Sequence, residues 1–189
     1  MADQGTEGLL SSFLRKRRIN AIKPFLKGKI LDVGCGTGVL SSLVSSDLYL
    51  GVDIDLTSIN LAKEKYPNHR FYLELPSENE KFDSIVSLAT IEHIANPVEF
   101  LSNISKFLTD NSESSIIITT PNPSFEKIYS IGVYLGLFSK HANEEHEELL
   151  GFSRLNEIAD LCNLKITLYK RFLFGANQMV LFKLKNNTL

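Results

Sequence analysis

The stretch that decides the fold is a short apolar run that leads into a glycine loop, Ile30-Leu31-Asp32-Val33-Gly34-Cys35-Gly36-Thr37-Gly38. The apolar run is typical of a buried strand, and helix-like sequence follows the glycines. Glycine lets the backbone turn tightly and approach a ligand closely, which a Cβ atom would prevent. The loop therefore predicts a ligand site at the carboxyl end of a first strand, where open α/β sheets bind their ligands.

Outward from this loop, short apolar runs alternate with helical patterns, which predicts a parallel sheet with crossover helices. Apolar spacings of three and four predict helices at Leu56–Lys65, Val98–Leu108 and Arg154–Cys162. The predicted strands are Ile30–Val33, Tyr49–Asp53, Arg70–Leu73, Ser84–Leu88, Ser115–Thr119, Lys165–Arg171 and Gln178–Lys183. The fold class is thus α/β: a Rossmann-like, doubly wound, seven-stranded and mostly parallel sheet with an antiparallel last strand.

Two segments fall outside this alternation. Residues 7–26 predict an N-terminal helix, and residues 124–150 form an insertion with an apolar aromatic stretch and then a charged run. Insertions of this length often serve as lids or binding elements, so we expect it to cover an acceptor pocket; a dimer contact and an interfacial membrane helix are the alternatives. The length of 189 residues fits one domain spanning residues 1–189.

Composition narrows the class of protein. An apolar fraction of 43% and a charged fraction of 22% are ordinary for a soluble globular domain. A net charge of −2 gives no overall attraction for nucleic acid, and the basic run Arg15–Arg18 is interpreted as a solvated helix face. No apolar run is long enough to predict a transmembrane segment. Two cysteines without metal-ligand spacing favour a reducing cytoplasm.

An acidic residue after the second predicted strand points to the kind of ligand. Asp53 follows Gly34 by nineteen residues, and a carboxylate there can accept hydrogen bonds from ribose hydroxyls. A dinucleotide fingerprint would need a third glycine at position 39, which is Val39. The Asp32 carboxylate would repel a pyrophosphate but suits a ligand that carries an ammonium and a sulfonium. The residues therefore favour S-adenosylmethionine over NAD as the cofactor.

Four motifs in order carry a family resemblance that covers nearly the whole chain. Residues 31–38 resemble motif I of class I S-adenosylmethionine-dependent methyltransferases, and Gly51-Val52-Asp53 resembles their second motif. The segment from Lys81 to Ile94 is similar to the fourth-strand signature of their small-molecule branch, which includes quinone-biosynthesis enzymes. Thr119-Thr120-Pro121-Asn122 and Gly151-Phe152-Ser153 resemble the end of the fifth strand and the start of the final helix.

This resemblance implies roles for particular residues. Asp32 and Gly34 would flank the methionine end of the cofactor, and Gly36 would permit close approach. Asp53 would hold the ribose with Ile54 beside the adenine, and the Leu88 carbonyl would receive the ammonium. Arg18 would meet the cofactor carboxylate. The segment after the third strand is shorter than in the family, and Glu74 is the expected replacement for an aspartate that bonds the adenine.

The expected activity is methyl transfer to a small-molecule acceptor, by a monomer or homodimer that binds no nucleic acid. His93 and His146 are the candidate general bases, because histidine titrates near neutral pH. Metal is not expected, since Ala89 stands where metal-dependent RNA-end methyltransferases place an acidic ligand. Two alternatives stay open: a catalytically silent cofactor-binding regulatory module, and a methyltransferase for RNA or protein.

Overall fold

A computed structural model of the chain describes residues 11–125 and 150–185. Its sheet has seven strands, most of them apolar and buried on both faces, as a sheet covered by helices on each side requires. The strands are β1 (Ile30–Val33), β2 (Tyr49–Val52), β3 (Arg70–Tyr72), β4 (Ser84–Leu88), β5 (Ser115–Pro121), β6 (Leu164–Phe172) and β7 (Asn177–Leu184).

The strand order is β3-β2-β1-β4-β5-β7-β6. Strands β1 to β5 pair in parallel, whereas β7 pairs antiparallel with both β5 and β6. The chain winds one way from β1 to β2 and the other way from β1 to β4, so the switch point of the sheet lies at β1. The predicted fold class, including the antiparallel last strand, is confirmed.

Within the described residues, four α-helices cover the two faces of the sheet. They are α1 (Ser11–Ile22), α2 (Leu56–Lys65), α3 (Pro97–Ser105) and α4 (Phe152–Leu161). Apolar residues of α1 and α2 pack with Val86, Ile117 and Met179 on one face. Apolar residues of α3 and α4 pack with the opposite face. The sheet therefore has one hydrophobic core on each of its two faces.

The predicted element limits differ from the structure in a few places. Helix α3 ends at Ser105, before the predicted Leu108, because Leu108 forms a bridge with Phe82 beside β4. Helix α4 begins at Phe152, two residues earlier than predicted. Helix α1 and a 3₁₀ turn at Lys23–Phe25 account for most of the predicted helix at 7–26, and residues 7–10 lie outside the described residues.

The predicted insertion at 124–150 falls largely outside the described residues, which resume at position 150. Leu150 itself is fully buried, and its carbonyl accepts a hydrogen bond from the Gln178 side chain. The lid role of the insertion and the single-domain organisation stay predictions. Among the helices of the described residues, none has the length and apolar character needed to cross a membrane.

Candidate cofactor site

The glycine loop leaves β1 and turns back over the end of β2. The backbone N–H groups of Gly34 and Cys35 both donate to the Val52 carbonyl, at 2.9 and 3.0 Å. These two bonds fasten the first turn of the loop to the neighbouring strand. The loop is therefore a fixed structure at the switch point of the sheet, where ligands of open α/β folds bind.

Asp53 completes the loop from the next strand. One of its carboxylate oxygens accepts the Gly36 N–H at 2.8 Å, and the other accepts the Asp55 N–H at 3.0 Å. Each carboxylate oxygen has two lone pairs, so Asp53 keeps acceptor capacity for a ligand while it holds the loop. The predicted pair of glycine loop and acidic residue is thus brought into direct contact.

The three glycines of the loop serve different purposes. A Cβ atom on Gly34 would lie 2.3 Å from the Thr90 hydroxyl, and one on Gly38 would lie 2.7 Å from the Phe71 ring. Both positions need glycine for packing. A Cβ atom on Gly36 would meet nothing within 4 Å, although its φ of +51° also favours glycine. The open space beside Gly36 is room for a ligand that approaches the backbone.

A cavity of about 110 Å³ lies against this loop. Four predicted cofactor residues line it together: Asp32, Gly34, Gly36 and Leu88. Cys35 and Thr37 of the predicted ligand loop line it as well. The other lining residues, which were not predicted as site residues, come from the turn after the loop and from helix α1: Arg15, Ile19, Val39 and Leu40.

Asp32 is a buried carboxyl in the cavity wall, with 3% of its surface exposed. Burial raises the pKa of Asp32 from its ordinary value of 3.8 to about 7, the hydrogen bond from Tyr49 opposes the rise, and Asp53 adds to it. The Tyr49 hydroxyl donates to Asp32 Oδ2 at 2.7 Å. A cationic ligand beside Asp32 would offset the cost of ionising this carboxyl.

Cys35 lies in the loop without the properties of a nucleophile. Burial raises the pKa of its thiol well above the usual range, and the charges of Asp32 and Asp53 raise it further. Since the thiolate is the reactive form of cysteine, this thiol stays neutral at physiological pH.

Helix α1 presents its basic residues in two directions. Lys16 and Arg17 are exposed, as predicted for a solvated face, whereas Arg15 and Arg18 are half-buried. Arg15 lines the cavity, while Arg18 Nε donates to Asn177 Oδ1 at 3.2 Å and lies outside the cavity lining. The structure thus separates the predicted cofactor residue Arg18 from the cavity and brings Arg15, one helical turn earlier, to it.

Three further predicted residues lie beyond the cavity lining: Asp53, which holds the loop through the Gly36 N–H, and Ile54 and Glu74. Ile54, next to Asp53, is 95% exposed, and Glu74 is exposed two residues after the end of β3. Both stand on the β2–β3 side of the loop. Leu88 lies at the end of β4, and its carbonyl accepts a long hydrogen bond of 3.5 Å from the Thr90 hydroxyl.

Comparison with known proteins decides the class to which this site belongs. Residues 9–167 match the methyltransferase domain family, which is more than half of the chain. The chain belongs to the class I S-adenosylmethionine-dependent methyltransferases. This membership confirms the enzyme class that the motifs predicted, and with it S-adenosylmethionine as the cofactor.

Individual relatives of this methyltransferase act on different acceptors. It is 31% identical over 115 residues to the mitochondrial ubiquinone biosynthesis O-methyltransferase of Arabidopsis thaliana, covering 54% of this chain and 35% of that protein. It is 28% identical over 150 residues to the ribosomal protein L11 methyltransferase of Aquifex aeolicus, and this alignment covers 74% of this chain and 52% of that protein. This methyltransferase therefore spans about a third to a half of the length of these relatives.

A solved structure agrees on the fold. The magnesium protoporphyrin IX methyltransferase of Synechocystis PCC 6803, solved with bound S-adenosylhomocysteine, has a TM-score of 0.65 and 14% identity. The superposition covers 95% of this methyltransferase and 89% of that chain.

A polar cluster lies at the carboxyl edge of β4 and β5, next to Leu88. Glu92 is 1% exposed, and one of its oxygens has no hydrogen-bond partner among the described residues. The same holds there for the buried hydroxyls of Ser87, Thr119 and Thr120. Burial raises the pKa of Glu92, opposed by its backbone hydrogen bond and by the charge of Arg18. The Thr120 hydroxyl adjoins this carboxyl and helps to lower its pKa, although the two groups do not meet hydrogen-bond geometry.

The predicted catalytic histidines have different outcomes. His93 is exposed in the 3₁₀ turn Ile91–His93 that follows β4, at the rim beyond Leu88. His146 lies outside the described residues, as does His141. Within residues 11–125 and 150–185, no group of three or more histidine, cysteine or acidic side chains is arranged to hold a metal ion.

Proposed function

We propose that this methyltransferase transfers the methyl group of S-adenosylmethionine to a small-molecule acceptor. The observation that carries the cofactor side of the proposal is the open space beside Gly36, a residue that lines the cavity with Asp32 and whose N–H donates to Asp53. The cofactor supplies an activated methyl group on a positively charged sulfur. The protein has to bind it, orient the acceptor and exclude water.

Each cofactor residue receives a role from its chemistry. Asp32 would face the ammonium together with the Leu88 carbonyl, and Asp53 would accept hydrogen bonds from the ribose. Arg15 is our choice for the cofactor carboxylate in place of Arg18, because Arg15 lines the cavity. The roles of Gly34 and Gly36 are to shape the loop, and those of Ile54 and Glu74 to meet the adenine.

The acceptor class is supported by the relatives and by charge. Several relatives are ubiquinone biosynthesis O-methyltransferases, whose acceptors are small molecules by name. The near-neutral net charge of −2 gives this chain no general attraction for nucleic acid. A phenolic or alcoholic acceptor would benefit from a base, so His93 and His146 remain our proposed general bases.

A macromolecular acceptor is the second candidate, because one of the relatives is by name a methyltransferase of a ribosomal protein. That L11 methyltransferase aligns with 74% of this chain, and the ubiquinone biosynthesis O-methyltransferase of Rickettsia typhi aligns with 79%, so the aligned share does not decide between the two acceptor classes. The third candidate is a silent regulatory module that binds the cofactor and transfers nothing. A monomeric or dimeric state and a cytoplasmic location also stay predictions. The two cysteines, Cys35 and Cys162, are free thiols.

One experiment separates the three functions. The protein is incubated with methyl-labelled S-adenosylmethionine and either defined catechols and hydroxybenzoates or purified ribosomal proteins, and both labelled product and S-adenosylhomocysteine are measured. We expect turnover with a small phenol and its loss in Asp53→Asn. Labelling of protein alone would overturn the small-molecule proposal. Cofactor binding without any turnover, also against a metabolite extract, would favour the silent module.

A further inference from the structure

Helix α1 carries two arginines on the face that it turns toward the protein. Arg15, Arg18, Ile19 and Ile22 are spaced i, i+3, i+4 and i+7, so they share one face of the helix. Ile19 and Ile22 are buried, and Arg15 and Ile19 line the cofactor cavity. The position of this face against the sheet therefore sets one wall of the cavity.

Arg18 makes a polar contact that ties this face to the sheet. Its Nε donates to Asn177 Oδ1 at 3.2 Å, across 159 residues of sequence. Asn177 is 6% exposed, and strand pairing with Pro121 on β5 fixes its backbone. A hydrogen bond from a charged donor to a buried, immobile acceptor is stronger and more directional than an exposed ion pair.

Glu92 adds an electrostatic component at the same edge of the sheet. Its carboxyl is buried, and the charge of Arg18 favours its ionised form against the effect of burial. Arg18 thus interacts with β7 through Asn177 and with the turn after β4 through Glu92. These two elements flank the carboxyl end of β5, beside the cofactor cavity.

We infer that Arg18 and Asn177 are positioning residues of the cofactor site: their hydrogen bond holds the inward face of α1 against the sheet and so places Arg15 and Ile19 in the cavity wall. The inference rests on the proposed function, since the position of this wall matters for activity only when the cavity holds the cofactor. Neither residue needs to touch the cofactor itself.

A double-mutant cycle on Arg18→Met and Asn177→Ala tests this, with the affinity for S-adenosylhomocysteine measured by calorimetry. Each single variant should bind S-adenosylhomocysteine about tenfold more weakly than wild type, a loss in the middle of the range for two residues that contact each other. The double variant should bind no more weakly than either single variant. Asn177→Asp keeps an acceptor for Arg18 and should retain affinity close to wild type. Arg17→Met makes the same substitution on the exposed face and is the matched control, with unchanged affinity.

Thermal unfolding without ligand separates positioning from general destabilisation. A merely structural role lowers Tm and leaves the affinity of the folded protein unchanged, which would overturn the inference, as would additive losses in the cycle. Should Asn177→Ala not fold, Asn177→Ser takes its place in the cycle, because its side chain is too short to reach Arg18. If the wild-type protein fails to bind S-adenosylhomocysteine, the proposed function is refuted; if wild type binds and the cycle is additive, only the positioning role is lost.

Discussion

Binding of S-adenosylmethionine should expel a proton from Asp32, because burial holds the pKa of this carboxyl at about 7 before any ligand binds. A cationic ligand favours the ionised form of Asp32, whereas burial in the ligand-free protein favours the neutral form. The ionised form is therefore the one that binds the cofactor. Affinity should therefore rise with pH up to the pKa of Asp32. The cofactor's own ammonium stays protonated over this range, since α-amino groups titrate at about 7.7–8.0.

The size of the effect follows from that pKa. With a pKa of about 7, roughly 3% of Asp32 is ionised at about pH 5.5 and roughly half at about pH 7, so affinity should increase about 15-fold between them. Calorimetry in buffers of different ionisation enthalpy measures both the affinity and the proton released. Proton release should approach one at the lower pH and fall to about half at the upper pH.

Asp32→Asn is the matched variant, because asparagine keeps the shape and an oxygen for the Tyr49 hydroxyl but cannot ionise. Its affinity should be independent of pH and close to the wild-type value at about pH 5.5. A wild-type affinity that is flat with pH would refute the reasoning. The same pH dependence in Asp32→Asn would assign the proton to another group.

The contribution of Asp32 to the stability of the ligand-free protein should be smaller at neutral than at acidic pH. The folded-state pKa of Asp32 lies above its unfolded value, so its favourable contribution is complete below about pH 3.8 and is lost as pH rises to about 7. The rise of this pKa from 3.8 to about 7 corresponds to roughly 4 kcal/mol, so Asp32→Asn should stabilise the ligand-free protein by an amount of that order at about pH 8. Denaturant unfolding of both proteins at acidic and alkaline pH measures this difference.

Five other single substitutions test the site and the packing around it. Gly36→Ala points its Cβ into the cavity, so it should weaken S-adenosylhomocysteine binding roughly 5- to 100-fold by overpacking, whereas Gly34→Ala should lower the free energy of unfolding because its Cβ clashes within the protein. Equal affinity in Gly36→Ala would contradict the assignment of the cavity. Thr119→Val removes a buried hydroxyl that lacks a partner among the described residues and should raise the free energy of unfolding by about 1 kcal/mol; a loss of stability would reveal a partner. His93→Gln or His146→Gln should reduce kcat about 10²- to 10⁴-fold at unchanged cofactor affinity if that histidine is the base, and two single variants and a double variant near wild type would exclude both.

Much of the fold was predictable because local pattern and global topology agree in this chain. Buried parallel strands are continuous apolar runs, so Ser84–Leu88 and Ile30–Val33 were predicted with the limits that the structure has. The predicted end of an element was wrong where a tertiary contact overrides the local preference of the sequence for a helix. Leu108 has the spacing of a helical residue, but pairing with Phe82 draws it out of α3.

The glycine loop and its ligand were predictable for a related reason. The loop is contiguous in sequence, and the end of a second parallel strand must lie beside the end of the first, so Asp53 had to come close to Gly36. What the pattern did not show is that Gly34 and Gly38 serve packing while Gly36 faces open space. That distinction depends on Phe71 in β3 and on Thr90 in the turn after β4, which the fold brings to the loop.

By itself, then, the sequence determined the sheet, the class of enzyme and the cofactor, since these depend on periodicity and on short contiguous motifs. Only the tertiary structure decided which arginine of α1 reaches the cavity, that Glu92 is buried, and that Asp32 titrates near neutral pH. A run of four basic residues looks uniform along the chain, but a helix turns through 100° per residue and directs Arg15 and Arg18 inward while Lys16 and Arg17 meet water. Burial and pKa arise from atoms that neighbouring elements place around a side chain, and such long-range packing leaves no trace in the local order of residues.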